Sequence, residues 1–116
     1  MEEAQKEKVI ASIEDFQKIE IRVGTVLEVS VVEGADKLYI LRVDFNEEKP
    51  RQILSGIREY IKEEELLGKQ FPFITNLPPR KLRGYDSEGM ILAGGEGDTL
   101  ALFSPSASLP NGSRLR

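Results

Sequence analysis

Ile19-Glu20-Ile21-Arg22-Val23-Gly24-Thr25-Val26-Leu27-Glu28-Val29-Ser30-Val31 alternates at period two over thirteen residues. Ile19, Ile21, Val23, Thr25, Leu27, Val29 and Val31 fall on one face, with Glu20, Arg22, Gly24, Glu28 and Ser30 on the other. That spacing predicts one long strand with the first set turned to the core. Gly24 is where such a strand can bend or bulge. A small closed barrel needs a bend of this kind, because its first strand is shared between both halves.

Working outward, Gly34-Ala35-Asp36-Lys37 reads as a turn, and Tyr39, Leu41, Val43 and Phe45 define a second strand with Arg42 and Asp44 facing out. Asn46 to Pro50 is a hairpin connection into a third strand, Arg51 to Ser55. Ile57, Tyr60, Ile61, Glu64 and Leu67 approximate helical spacing, and Gly68 is placed to end that helix. Gln70 to Thr75 is the fourth strand, which Pro72 assigns to an edge or bulge. Met90–Ala93 and Thr99–Phe103 form a last hairpin across Gly94-Gly95-Glu96-Gly97-Asp98. Before the first strand, residues 2–11 are good helix formers with acids in front. Ser12-Ile13-Glu14-Asp15 then resembles a capping box ahead of a short turn carrying Phe16.

Three strands, a helix and two further strands are the connectivity of the OB-fold, an all-β, five-stranded Greek-key barrel. The chain accordingly divides into an N-terminal helical extension (1–14), the barrel (15–103) and a Ser- and Pro-rich C-terminal extension (104–116). This barrel binds oligonucleotides with one sheet face and with its L12 and L45 loops. L12 falls at Glu33–Lys37. L45 falls at Asn76-Leu77-Pro78-Pro79-Arg80-Lys81-Leu82-Arg83-Gly84-Tyr85-Asp86-Ser87-Glu88-Gly89-Met90.

That second loop runs against the charge of the whole. The chain carries 20 acidic and 16 basic residues, a net charge of −4, yet no acid occurs from Leu66 to Tyr85. Arg80, Lys81 and Arg83 are suited to phosphate, Arg as a bidentate fork and Lys as a point charge. Asn76 and Ser87 add neutral hydrogen bonds, and Tyr85 a face for base stacking. Lys37 lies on the same rim, with Arg42 and Arg51 on neighbouring strands. The plain alternative for each cation is a solvated surface charge or an ion pair.

Other chemistries are excluded by what the chain lacks. It has no Cys and no His, which removes thiolate and imidazole ligands, cysteine nucleophiles and histidine bases. Asp36, Asp44, Asp86 and Glu88 show no spacing of a hydrolytic pair. The Gly94–Asp98 segment lacks the Lys-Ser/Thr and following helix of a phosphate-binding loop. The reading is a non-enzyme with no cofactor and no metal. No window reaches the ~18 apolar residues of a membrane span. Met1-Glu2-Glu3 opens unlike a signal peptide, and a cytoplasmic location fits.

Several motifs, in order and at suitable spacings from Asp15 onward, carry a resemblance. They are Asp15-Phe16, Ile21-Arg22-Val23-Gly24-Thr25-Val26, Ala35-Asp36-Lys37-Leu38-Tyr39, Ser55-Gly56-Ile57, and Asn76-Leu77…Arg80-Lys81-Leu82-Arg83-Gly84…Ser87-Glu88-Gly89-Met90. Together they resemble the tRNA-binding domain of methionyl-tRNA synthetases, found also as a separate beta subunit and as free-standing dimeric tRNA-binding proteins. The resemblance implies recognition of tRNA by shape, without an anticodon readout, raising tRNA affinity for a catalytic chain that performs aminoacylation. It implies a homodimer assembled through the 104–116 extension. It places tRNA-binding positions at Lys37, Arg42, Asn76, Arg80, Lys81, Arg83, Ser87 and Met90. Glu33-Gly34 stands where the family often has His-Pro, and a carboxylate there repels phosphate. A sister family of export-related, peptide-binding chaperones shares the fold and the dimer. It has a similar Pro-Pro-Arg but usually lacks the Arg-Gly…Ser-Glu-Gly-Met continuation.

Overall fold

The computed structural model describes residues 8–116. The helix expected over residues 2–11 falls mostly outside them, and residues 8–11 are not helical. The expected capping box is present: Ser12 Oγ accepts from the Asp15 N–H and Asp15 Oδ2 from the Ser12 N–H, each at 3.0 Å. It opens the short helix α1 (Ile13–Gln17).

The remaining regular structure is almost entirely sheet. The strands are β1 (Ile21–Val32), β2 (Ala35–Asp44), β3 (Arg51–Ser55), β4 (Gln70–Ile74), β5 (Arg80–Leu82), β6 (Tyr85–Ser87), β7 (Met90–Ile91), β8 (Ala93–Gly94) and β9 (Ala101–Leu102). The main sheet runs β3-β2-β1-β4-β7, antiparallel throughout. Its β3 edge is met by the segment around β6: the Glu88 N–H donates to the Gln52 carbonyl at 2.8 Å, and the Leu54 N–H to Ser87 Oγ at 2.9 Å.

Between these strands lie Val26, Leu41, Val43, Phe45, Ile53, Leu66 and Phe73, all essentially inaccessible. Phe45 and Phe73 meet edge to face, ring centroids 5.3 Å apart at 89°. That pairing adds about 0.5–1.5 kcal/mol beyond the area it buries. The second strand behaves as its alternation predicts, with Tyr39, Leu41, Val43 and Phe45 all buried.

β1 has the opposite phase to the one its β-branched residues suggest. A Cβ on Gly24 would sit 2.6 Å from the Phe45 ring and from Val43, so Gly24 lies on the core face. Its missing side chain is the space that Phe45 fills. The irregularity expected near Gly24 is a bulge three residues on, where Leu27 is unpaired between Val26↔Val43 and Glu28↔Arg42. The bulge turns Leu27 outward, at 44% exposure, and leaves Val26 and Val29 against the core.

Val23 is nevertheless buried, because the C-terminal tail covers the other face and edge of β1. The Val23 N–H donates to the Ser113 carbonyl at 2.8 Å, the Gly112 N–H to the Val23 carbonyl at 2.7 Å, and the Leu115 N–H to the Ile21 carbonyl at 2.8 Å. Asn111 anchors this strap. Its Oδ1 accepts from Thr25 Oγ1 and Gln70 Nε2, and its Nδ2 donates to Asp44 Oδ2. Pro72 is therefore not on an edge, since β4 lies between β1 and β7. It pairs with Val23, whose own backbone groups point to the tail, so no ladder bond toward β1 is asked of the proline.

The segment expected to form a helix from Ile57 to Leu67 instead makes a turn at Arg58–Tyr60 and one 3₁₀ turn, Glu63–Glu65. The helical path breaks at Lys62, whose backbone is extended (φ −83°, ψ 155°). Beside it, the Tyr39 hydroxyl donates to the Ile61 carbonyl at 2.7 Å, and the Glu65 N–H donates to the Lys62 carbonyl, three residues back. Ile57, Ile61 and Leu66 are buried all the same. Gly68 closes the segment at φ +77°, as its position suggests.

Candidate functional site

The basic loop is rooted before it is charged. Arg51, at the start of β3, is held bidentately by Glu47, Nε to Oε1 at 2.9 Å and Nη2 to Oε2 at 2.8 Å. Its Nη1 donates to the carbonyl oxygens of Thr75 at 2.7 Å and Glu88 at 3.0 Å. Its guanidinium carbon lies 5.6 Å from the centre of the Phe45 ring. One side chain thus clasps both ends of the loop. Arg51 holds the Glu47 carboxyl below its ordinary value, and Glu47 in turn raises the Arg51 guanidinium. Gln52 adds a second clasp, its N–H donating to Glu88 Oε1 and its Nε2 to the Asp86 carbonyl, both at 2.9 Å. The sequence marks Arg51 only as a cation projecting from a strand. No local signal announces that it binds two distant carbonyls.

Between those roots the segment is a small hairpin, not an irregular loop. β5 and β6 pair Arg80 with Ser87, Lys81 with Asp86 and Leu82 with Tyr85. Arg83 and Gly84 form its turn, with φ +51° and +83°. Two positive φ values are the signature of a type I′ turn, where Asn-Gly is preferred. The Arg-Gly pair between Leu82 and Tyr85 is the signal in the sequence that points to it. A left-handed conformation costs an ordinary L-residue about 1–2 kcal/mol. A cation occupies a position where Asn would sit with less strain, and strain of this kind concentrates at functional sites.

The hairpin sorts its side chains. Arg80, Leu82 and Ser87 share the face turned toward Leu54 of β3 and help line a cavity of about 120 Å3. Lys81 and Asp86 face the other way, 3.3 Å apart and both mostly exposed. Such a pair is worth roughly 0–1 kcal/mol and yields readily to a stronger anion. Among the described residues no carboxylate pairs with Arg80 or Arg83. Arg42, on β2, lies 3.4 Å from Glu28. Lys37 is exposed on β2, because the turn before it is confined to Glu33–Gly34 and the strand starts at Ala35. Met90 is exposed at 45%.

Asn76 and Ser87 are engaged within the fold. Asn76 Oδ1 accepts from the Glu20 N–H at 2.8 Å and Nδ2 donates to the Lys18 carbonyl at 2.7 Å. Ser87 is buried; its Oγ accepts from Leu54 and donates to the Gly89 carbonyl. These two residues fix the loop, whereas Lys37, Arg42, Arg80, Lys81, Arg83 and Met90 present side chains to solvent. Beside Asn76, the Thr75 hydroxyl donates to Glu20 Oε1 at 2.7 Å. That bond and Arg22 hold the Glu20 carboxyl below its ordinary value.

The two flanks of the hairpin differ in charge. Glu47, Glu48 and Glu88 line a groove on the Leu77–Pro79 side. Lys49 and Arg51 line the same groove, so its charge is mixed, whereas Arg80 and Arg83 stand exposed on the hairpin.

Residues 21–114 match the family model described as "Putative tRNA binding domain". The methionine–tRNA ligase of Listeria monocytogenes is 48% identical over 104 residues, which is 90% of this chain and 16% of that enzyme. The chain thus spans about one sixth of the length of such curated relatives. Among solved structures, the MetRS-related protein of Pyrococcus horikoshii superimposes with a TM-score of 0.87 at 34% identity, covering 94% of this chain and 100% of that one. The chaperone CsaA of Bacillus anthracis str. Ames superimposes with a TM-score of 0.83 at 30% identity, covering 93% and 100%.

Proposed function

As this chain belongs to the tRNA binding domain family, we propose that it binds tRNA by shape and without reading base sequence. It does so as the C-terminal domain or separate beta subunit of methionyl-tRNA synthetase. The observation that carries this reading is the 80–87 hairpin, which holds Arg80, Lys81 and Arg83 exposed on a clasped, acid-poor projection. Phosphate contacts position a protein and carry no sequence information, and little on this surface is suited to base edges. The chain supplies affinity, raising the hold of a catalytic chain on tRNA, while aminoacylation occurs elsewhere. It is a cytoplasmic accessory with no catalytic site of its own.

The ring made by the β3-β2-β1-β4-β7 sheet and the β6 segment supports an OB-fold barrel over residues 15–103, with the hairpin as its L45 loop. We assign homodimer assembly to the 104–116 extension. Phe103, Leu109, Pro72, Val23 and Leu115 surround an apolar cleft of about 200 Å3 there, and Phe103 is 56% exposed. Light scattering on the full chain tests it, and a monomer would remove that role from the tail.

A second reading is peptide binding, favoured by the likeness to CsaA and by exposed Leu77 and Met90 beside the cations. A free-standing tRNA-binding protein is a third, with the same chemistry. A competition decides between RNA and peptide: labelled tRNA bound to the chain is challenged with unlabelled tRNA or with unfolded polypeptide. Displacement by tRNA alone is expected. Displacement by polypeptide, with no loss on mutating the loop cations, would establish the chaperone reading instead.

A further inference from the structure

The cavity between the 80–87 hairpin and β3 is mostly apolar and adjoins the cations of the hairpin through Arg80. Leu54, only 5% exposed, is its floor. Leu77, Leu82 and Met90 are its walls, and Arg80 stands at its rim. Leu77 and Met90, at 41% and 45%, are large apolar side chains left partly in water around it. Its volume of about 120 Å3 is well below the ~300–1,000 Å3 of sites for drug-sized ligands. It suits a single flat ring or a single side chain. Ser87 Oγ, which also lines it, already donates to Gly89 and accepts from Leu54, so the walls offer little to read a hydrogen-bonding edge.

We infer that this cavity receives one unstacked nucleobase of the bound RNA, with the Arg80 guanidinium over the ring or on the adjoining phosphate. The inference rests on the tRNA-binding reading and deepens it. Charge complementarity selects the occupant: Arg80 lines the cavity, no carboxylate pairs with it among the described residues, and Arg83 stands in the turn of the same hairpin, while Lys81 with its partner Asp86 faces away. A nucleotide brings a π-face for the apolar walls together with a phosphate for the cations. An apolar peptide side chain brings only the first.

The consequence is selectivity by shape. Moving a base out of a stack costs a few kcal/mol in a duplex and least where the base is already unpaired. A cavity that takes any base, without testing its edge, favours RNA that offers an unpaired base beside closely spaced phosphates. It discriminates against continuous duplex.

The test uses the full chain, a tRNA transcript, and the exposed-wall variant Leu77→Ala/Met90→Ala, with Leu82→Phe as a filling variant. Thermal melting checks that each folds. Base-edge alkylation and backbone cleavage of the tRNA are mapped with and without protein, and affinity is measured at several salt concentrations. Wild type is expected to shield the edge of at least one unpaired base. Both variants are expected to lose that shielding and about tenfold in affinity, the scale of one stacked base, while the salt slope is unchanged. Protection confined to the backbone, with variants binding as wild type on an intact slope, overturns the cavity assignment and leaves the tRNA reading standing. Absence of salt-dependent tRNA binding by wild type overturns both. With unfolded polypeptide added as competitor, its displacement of tRNA from wild type but not from Leu77→Ala/Met90→Ala would overturn the assignment and make the cavity a peptide side-chain site.

Discussion

The Arg51 guanidinium donates to the Thr75 carbonyl oxygen over 2.7 Å, joining the start of β3 to the residue from which the basic loop departs. The same Nη1 reaches the Glu88 carbonyl at 3.0 Å, where the loop returns. Arg51→Met retains much of the apolar stem over Phe45 but leaves the Thr75 carbonyl of a buried residue without its donor. The expected loss is roughly 2–3 kcal/mol in urea unfolding, the range for charge-assisted bonds. Hydrogen exchange at Leu54 and Glu88 should quicken as well. A change within about 0.5 kcal/mol, the size of an ordinary surface substitution, would show that the clasp is not structural.

Acid should weaken the same clasp. In the fold, the Arg51 side chain holds the Glu47 carboxyl below its ordinary value of 4.5. A depressed carboxylate contributes stability that is present above its unfolded value and lost as pH falls through its folded one. The melting temperatures of wild type and Arg51→Met should therefore converge as pH falls below 4.5 and through the depressed folded-state value, where wild type loses the Glu47 contribution. Arg51 keeps its two carbonyl bonds, so some difference persists. Parallel curves would mean that Glu47 contributes nothing.

Arg83 is held at φ +51° in a turn suited to Asn-Gly. Arg83→Asn is expected to raise stability, by up to about 1 kcal/mol, through relief of that conformation. It should weaken tRNA binding at the same time. Opposite signs in the two measurements mark a residue kept for its charge. If stability also falls, the Arg83 side chain supports the fold in a way these contacts do not reveal.

Much of this fold is legible because sequence and environment agree. β2 is buried on one face, and Tyr39, Leu41, Val43 and Phe45 report that face directly. β3 runs over the residues its composition marks, Arg51–Ser55. β1 misleads because both faces of its first half are covered. Ile21 and Val23 lie under the tail, and the core face is marked by a glycine whose role depends on Phe45, twenty-one residues away. The 57–67 segment misleads for a related reason: its backbone is extended at Lys62, next to an Ile61 carbonyl met by the distant Tyr39 hydroxyl. The cations of the site are visible as a charge anomaly. Their support is not, because Arg51 meets Thr75 and Glu88 only through long-range bonds from its side chain to their carbonyls. Asn76 reads as a ligand-facing amide, yet both ends of its amide are taken by Lys18 and Glu20.

The most direct test of tRNA binding through the hairpin is the salt dependence of affinity. Log K should fall steeply with log salt for wild type, and Lys81→Ala and Arg83→Ala should each reduce the slope by about one. Asn76→Ala, which removes no charge, should leave the slope near wild type in protein that remains folded. A flat wild-type slope, or Lys81→Ala and Arg83→Ala binding tRNA as wild type does, would contradict the account.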